Sequence, residues 1–163
     1  MLPGLDLLET RTRSATTAGD PTAFLAADHD WLRGLLVEFR PLVRRPDQIE
    51  NIRTAMMELK LRLNLHIRRE EEAYFPAIED FMQESGQGST FDMYGEHDAI
   101  HIRLDQLLEA LEANSDVSDS FAAFSRSLLI HFENEEELIF AEATAHLSVE
   151  ASRQVLSQFE ALI

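Results

Sequence analysis

The sequence predicts an all-α fold: an antiparallel up-down-up-down four-helix bundle with an N-terminal arm and a short C-terminal helix. Apolar residues recur at helical spacing through long stretches, and clear breaks separate those stretches. Strand signals are sparse, with no alternating β-branched run and no Asn-Gly hairpin. The chain also repeats itself. His66-Ile67-Arg68-Arg69-Glu70-Glu71-Glu72 returns as His131-Phe132-Glu133-Asn134-Glu135-Glu136-Glu137, and Asp28-His29-Asp30 returns as Glu96-His97-Asp98.

The elements follow in order. Residues 1–19 lack sustained periodicity and read as an arm. Asp20-Pro21 starts the first helix, with a capping acid before proline at the first helical position. Phe24, Leu25, Leu32, Leu35, Leu36 and Phe39 form its apolar stripe, and Pro41 ends or kinks it. Pro46-Asp47 opens the second helix, whose broad face carries Ile49, Ile52, Met56, Leu59, Leu63 and His66. Pro76 is a candidate kink, and Ile78, Phe81 and Met82 continue the pattern beyond it. The run from Glu84 to Ser89 is the clearest loop. A third helix spans about Thr90 to Ala113 and is broken by Asn114-Ser115-Asp116. A fourth spans about Ser118 to His146 through Phe121, Phe124, Leu128, His131, Glu135 and Leu138. Ser148 caps a short last helix carrying Val155, Leu156 and Phe159. The domain division is therefore 1–19 for the arm, 20–147 for the bundle and 148–163 for a helix packing on it.

Composition excludes several classes. A chain of 163 residues, 45% of them hydrophobic, favours one packed domain. A net charge of −16 opposes nucleic-acid phosphates and anionic lipid. The absence of cysteine removes disulfides, iron–sulfur clusters and thiolate zinc sites. No secretory signal and no stretch of ~20 apolar residues is visible, so a cytoplasmic protein without membrane contact is expected.

Helix lengths bring the histidines to one level. At 1.5 Å per residue, His101 lies about 18 Å from the break at Ala113, and His131 about 20 Å from Ser118. His29 lies roughly 24 Å from Arg45, and His66 roughly 30 Å from Pro46. Antiparallel neighbours then place His29, His66, His97, His101 and His131 in one layer. Left unpaired in an apolar core, such a layer would be very costly, and a metal ion removes that cost. His66 with Glu70, His97 with His101, and His131 with Glu135 have the i,i+4 spacing of paired ligands. Glu71, Glu72, Glu136 and Glu137 read as a solvated rim, although Glu136 competes with Glu135 as a ligand. His146 reads as a surface residue, and Trp31 and Tyr94 as packing. The nitrogen and oxygen donor set suits iron, manganese, zinc or copper. No Glu-x-x-His of the ferritin-like carboxylate proteins occurs.

The order His29, His66-x-x-x-Glu70, His97-x-x-x-His101, His131-x-x-x-Glu135 resembles the hemerythrin-like, or HHE cation-binding, proteins of bacterial type. Glu70-Glu71-Glu72-Ala73-Tyr74-Phe75-Pro76 is similar to the family's continuation after its first His-x-x-x-Glu. The resemblance implies a four-helix bundle around two iron ions joined by an oxo or hydroxo group. It implies that His97, His101 and His131 hold one iron, that His29 and His66 hold the other, and that Glu70 and Glu135 bridge them. Classical members carry aspartate five residues after the last histidine, where this chain has Glu136, so Glu136 stays as the alternative bridge. The expected activity is binding of O2, NO or peroxide at an open position on one iron, for oxygen binding or sensing. The alternatives are peroxide decomposition and iron handling or sensing. A sensor would need a partner protein.

Overall fold

A computed structural model describes residues 19–86 and 89–162; every described element is helical. The expectation of an N-terminal arm falls outside the described residues, apart from Gly19. Helix α1 spans Pro21–Phe39, and Asp20 caps it as expected by accepting from the Thr22 amide at 2.9 Å. Pro41 ends this helix rather than kinking it, and residues 40–44 form turns. Pro46–Gln48 is a 3-10 turn, so α2 begins at Ile49 and runs to Arg69. Helix α3 is Phe75–Ser85, α4 is Phe91–Glu112 and α5 is Ser118–Asn134. Helix α6 is Ala141–His146 and α7 is Val149–Ala161.

Two helices contain a wide turn at matching places in the repeat. A π turn at Glu70–Tyr74 joins α2 to α3, and another at Glu135–Phe140 joins α5 to α6. Proline is not the common cause: Pro76 follows the first, whereas Ala141 holds the equivalent place after the second. The wide turn holds back the inward register by one residue. Leu138, expected to face inward, is therefore exposed, and Ile139 and Phe140 are buried instead.

Loop chemistry sets the helix ends. Gly86 closes α3 in the left-handed region at φ 67°. Asn114 does the same after α4 at φ 51°, a conformation that asparagine tolerates better than most side chains. Ser148 caps α7 by accepting from the Ala151 amide at 3.1 Å.

Packing is organised as two apolar clusters. One contains Leu32, Leu63, Ile100 and Leu128; the other contains Leu25, Tyr74, Met93 and Ile139. These eight residues stand within one helical turn of His29, His66, His97, His131, Glu70 and Glu135, so the polar layer lies between the clusters. Helix α4 packs most extensively on α5, and α2 also packs on α4. Helix α1 touches α2, α5 and α7, with Phe24 and Phe159 rings 5.4 Å apart. No described helix is long and apolar enough to cross a membrane.

Candidate metal centre

Four of the five predicted histidines meet between the apolar clusters. His29, His66, His97 and His131 are at most 1% exposed, and Glu70 and Glu135 are fully buried. The histidines converge through Nε2: His29 and His66 approach to 3.1 Å, and His97 and His131 to 3.2 Å. Glu70 Oε1 lies 2.7 Å from His66 Nε2, and its Oε2 lies 3.2 Å from His97 Nε2. Glu135 Oε2 lies 3.2 Å from His29 Nε2 and 3.5 Å from His131 Nε2. Two groups of donors result, each with its atoms within 4.8 Å of one another: His29, His66, Glu70 and Glu135, and Glu70, His97 and His131.

His101 is not brought into this cluster. It is half-buried, and its Nε2 lies 3.1 Å from Asn64 Oδ1. Spacing along the helix is not the reason, since Glu70 and Glu135 follow His66 and His131 by the same four residues and do join the cluster; the His101 ring turns to Asn64 instead.

The second glutamate of each triplet has a definite place. Glu136 Oε1 accepts from His29 Nδ1 at 2.8 Å, and Glu71 Oε1 accepts from His97 Nδ1 at 2.7 Å. Both carboxylates are only about one-third exposed, at 34% and 32%. The solvated-rim reading thus fails for Glu71 and Glu136 and holds for the exposed Glu72 and Glu137. Glu136 sits on the outer nitrogen of His29, while Glu135 occupies the interior. Consecutive helical residues point roughly 100° apart, so Glu70 and Glu135 face inward while Glu71 and Glu136 face sideways.

Asp28 and Glu96 complete the set. Asp28 Oδ2 lies 3.3 Å from His66 Nδ1, and Glu96 Oε2 lies 2.9 Å from His131 Nδ1. Sequence reasoning noted these acids beside His29 and His97 without giving them a role. Each serves the histidine of the next helix, a contact that spacing along one helix cannot reveal. A carboxylate can only accept, so each Nδ1 donates and each Nε2 keeps its lone pair for the interior. Outer carboxylates of this kind fix the orientation of metal-binding imidazoles and raise their basicity.

The electrostatics also call for a cation. Burial acts to raise the Glu70 pKa, but His66, His29 and His97 outweigh it and hold Glu70 well below the carboxylate range. Burial and the adjacent Glu70 charge push Glu135 well above that range. Burial lowers His29 and His131. Burial also opposes the charge on His66, yet Glu70 and Asp28 raise it to about 10; Glu70 and Glu71 likewise raise His97 against burial. All four oxygens of Glu70 and Glu135 lack an aligned hydrogen-bond donor. Two buried carboxylates with unsatisfied oxygens, facing four imidazoles whose Nε2 lone pairs are free in the neutral form that a metal requires, fit metal ions.

Aromatic rings enclose the layer. Phe132 stacks on His29 at 3.9 Å, Phe140 stacks on it at 5.2 Å, and Phe75 stacks on His97 at 5.9 Å. Phe75 also lines an outer cavity of about 230 Å³ with Pro76, Glu79, Thr90, Phe91 and Tyr94. Tyr94 is 37% exposed, more open than core packing requires, and meets the Phe75 ring edge-on at 5.7 Å. Trp31 is half-buried beneath Arg62 at 4.9 Å, a packing role as expected. His146 lies on the surface, 3.4 Å from Glu142.

These are the features of a helical protein built around a buried cation-binding cluster. The chain belongs to the hemerythrin HHE cation-binding domain family, whose model matches residues 20–143 and, in an overlapping match, 91–161. It is also similar to a protein named "DNA nickase" from Nostoc sp. (strain PCC 7120 / SAG 25.82 / UTEX 2576), with 26% identity over 99 residues. That match covers 61% of this chain and 27% of the relative, so the chain spans about a quarter of the relative's length. No solved structure matches the chain.

Proposed function

We propose that this chain is a non-haem di-iron protein that binds O2 or a related small ligand, NO or peroxide. In this reading His29, His66, Glu70 and Glu135 hold one iron; His97, His131 and Glu70 hold the other; and Glu135 completes the bridge. The helices 21–39, 49–85, 91–112 and 118–146 then form an antiparallel up-down-up-down bundle. The short links at 40–48 and 113–117 and the meeting of four histidines in one layer support that arrangement.

One observation carries the functional reading. Among the described residues, two imidazoles face each candidate position and His101 contacts Asn64 instead, so a bound iron would keep positions for a small ligand. When bound, iron supplies redox chemistry and an acceptor position for a small ligand. The chain supplies enclosure: Phe75, Phe132 and Phe140 exclude water, and the outer carboxylates keep every Nε2 aimed inward. Among the described residues, every buried histidine and carboxylate is a proposed ligand, which favours binding over multistep chemistry. The test is anaerobic loading with ferrous iron, followed by rapid mixing with O2. A visible charge-transfer band that appears on mixing and disappears under argon is expected. Irreversible bleaching to ferric iron would remove reversible binding.

The equal number of imidazoles at the two positions favours a second reading, peroxide decomposition, because both irons would be open to one small substrate. That reading requires metal-dependent peroxide loss faster than free iron achieves, abolished by His66→Ala. The nickase activity of the Nostoc relative is not carried over. A chain of net charge −16 has an unfavourable field for a phosphate backbone.

A further inference from the structure

Arg33 and His101 are counterparts in the internal repeat: each follows the first histidine of its half by four residues. The structure uses them differently. Arg33 grips Glu136 with two parallel hydrogen bonds, Nη1 to Oε1 at 2.8 Å and Nη2 to Oε2 at 2.9 Å. Glu136 is the carboxylate behind His29. His101 instead turns to Asn64, so Glu71, behind His97, has no arginine or lysine in ion-pair contact among the described residues. The inequality recurs at the other two histidines. Asp28, behind His66, has Arg69 at 3.7 Å, whereas Glu96, behind His131, has the neutral Asn134 amide at 2.7 Å.

We propose that Arg33 makes the two metal positions unequal: His29 is a weaker donor than its counterpart His97, and its position is the more electron-poor. This inference rests on the reading that the cluster holds two cations. A carboxylate accepting an Nδ1–H draws the proton toward itself and strengthens the Nε2 lone pair. A guanidinium fork on that carboxylate offsets its charge and competes for its lone pairs. The Arg33 and Glu136 side chains are 30% and 34% exposed, so salt screens them less than a free surface pair. Glu71 and Glu96 deliver their full charge to His97 and His131. The cation held there is the better stabilised, and its partner is the more receptive to an added electron-rich ligand.

The test uses the full chain stripped of metal and titrated with Zn2+, read at each histidine by the 15N signals of its ring. Glutamine keeps the acceptor and removes the charge. Glu71→Gln should weaken binding at His97 by about 10–100-fold, the usual effect of losing an outer carboxylate. Arg33→Gln should strengthen binding at His29. The double variant Arg33→Gln with Glu136→Gln removes one charge of each sign and should weaken binding at His29 by less than Glu71→Gln weakens it at His97. His101→Ala should not change binding at His97. Weaker binding at His29 in Arg33→Gln, or equal losses in Glu71→Gln and the double variant, would overturn the inference while leaving the metal site intact. Failure of all four histidines to respond to Zn2+ would overturn the metal reading itself, and the inference with it.

Discussion

Glu135→Gln separates a metal-ligating carboxylate from a structural one, because the two roles predict opposite changes in stability. Glu135 is fully buried, its oxygens lack an aligned donor, and Glu70 presses a like charge against it. An amide there removes the repulsion and offers Glu70 a donor. Relief of one unsatisfied buried group is worth about 1–3 kcal/mol. For a chain of this size that raises the melting temperature by roughly 2–12 °C. The metal-loaded comparison runs the other way. A cation at 100 times its Kd stabilises the wild type by about 2.7 kcal/mol, or roughly 5–11 °C. Glu135→Gln should lose most of that increment, because amide oxygen is a poor ligand beside carboxylate. Thermal unfolding followed by helical circular dichroism, with chelator and then with added ferrous iron, reads both changes. A variant that melts lower than wild type in chelator and keeps the full metal increment would refute the reasoning. Glu135 would then be a partner of the histidines alone.

Further tests address the surroundings. His101→Ala should retain two metal ions per chain by elemental analysis, whereas His131→Ala should not. Phe75→Ala should cost about 3–5 kcal/mol of stability, and it should speed ligand entry in stopped-flow mixing by joining the outer cavity to His97. Tyr74→Phe deletes a buried hydroxyl bond to Thr22 of 2.7 Å and should cost about 0.5–1.5 kcal/mol by denaturant unfolding, without changing metal content. Glu79 is held below its ordinary pKa by hydrogen bonds from Thr90, then Gln83 and Ser89. Its stabilisation is present above the unfolded carboxyl value and is lost as pH falls through the lowered folded value. Glu79→Gln should therefore lower the melting temperature near neutral pH and flatten the acid side of the profile, where the two proteins converge.

The helices were legible in the sequence because local rules place them. Asp20-Pro21, Asn114 and Ser148 act within a residue or two of themselves, and apolar spacing shows which face turns inward. The members of the buried cluster were legible for a related reason: His29, His66, Glu70, His97, His131 and Glu135 recur in a repeat, and each lies on the inward face of its own helix. Contacts between helices were not. Asp28 sits beside His29 yet serves His66, and Glu96 sits beside His97 yet serves His131. Glu71 and Glu136 stand beside the inward glutamates yet serve His97 and His29 on other helices. His101 has ligand spacing yet turns to Asn64 on a neighbouring helix, a contact that no single-helix pattern shows. Residue identity and periodicity thus determined the helices, the apolar faces and the metal-binding character of the layer. Tertiary packing alone decided which polar groups meet, since those pairs are 26 to 107 residues apart in the chain. Their pairing depends on the rotation and offset of whole helices, which no short stretch of sequence encodes.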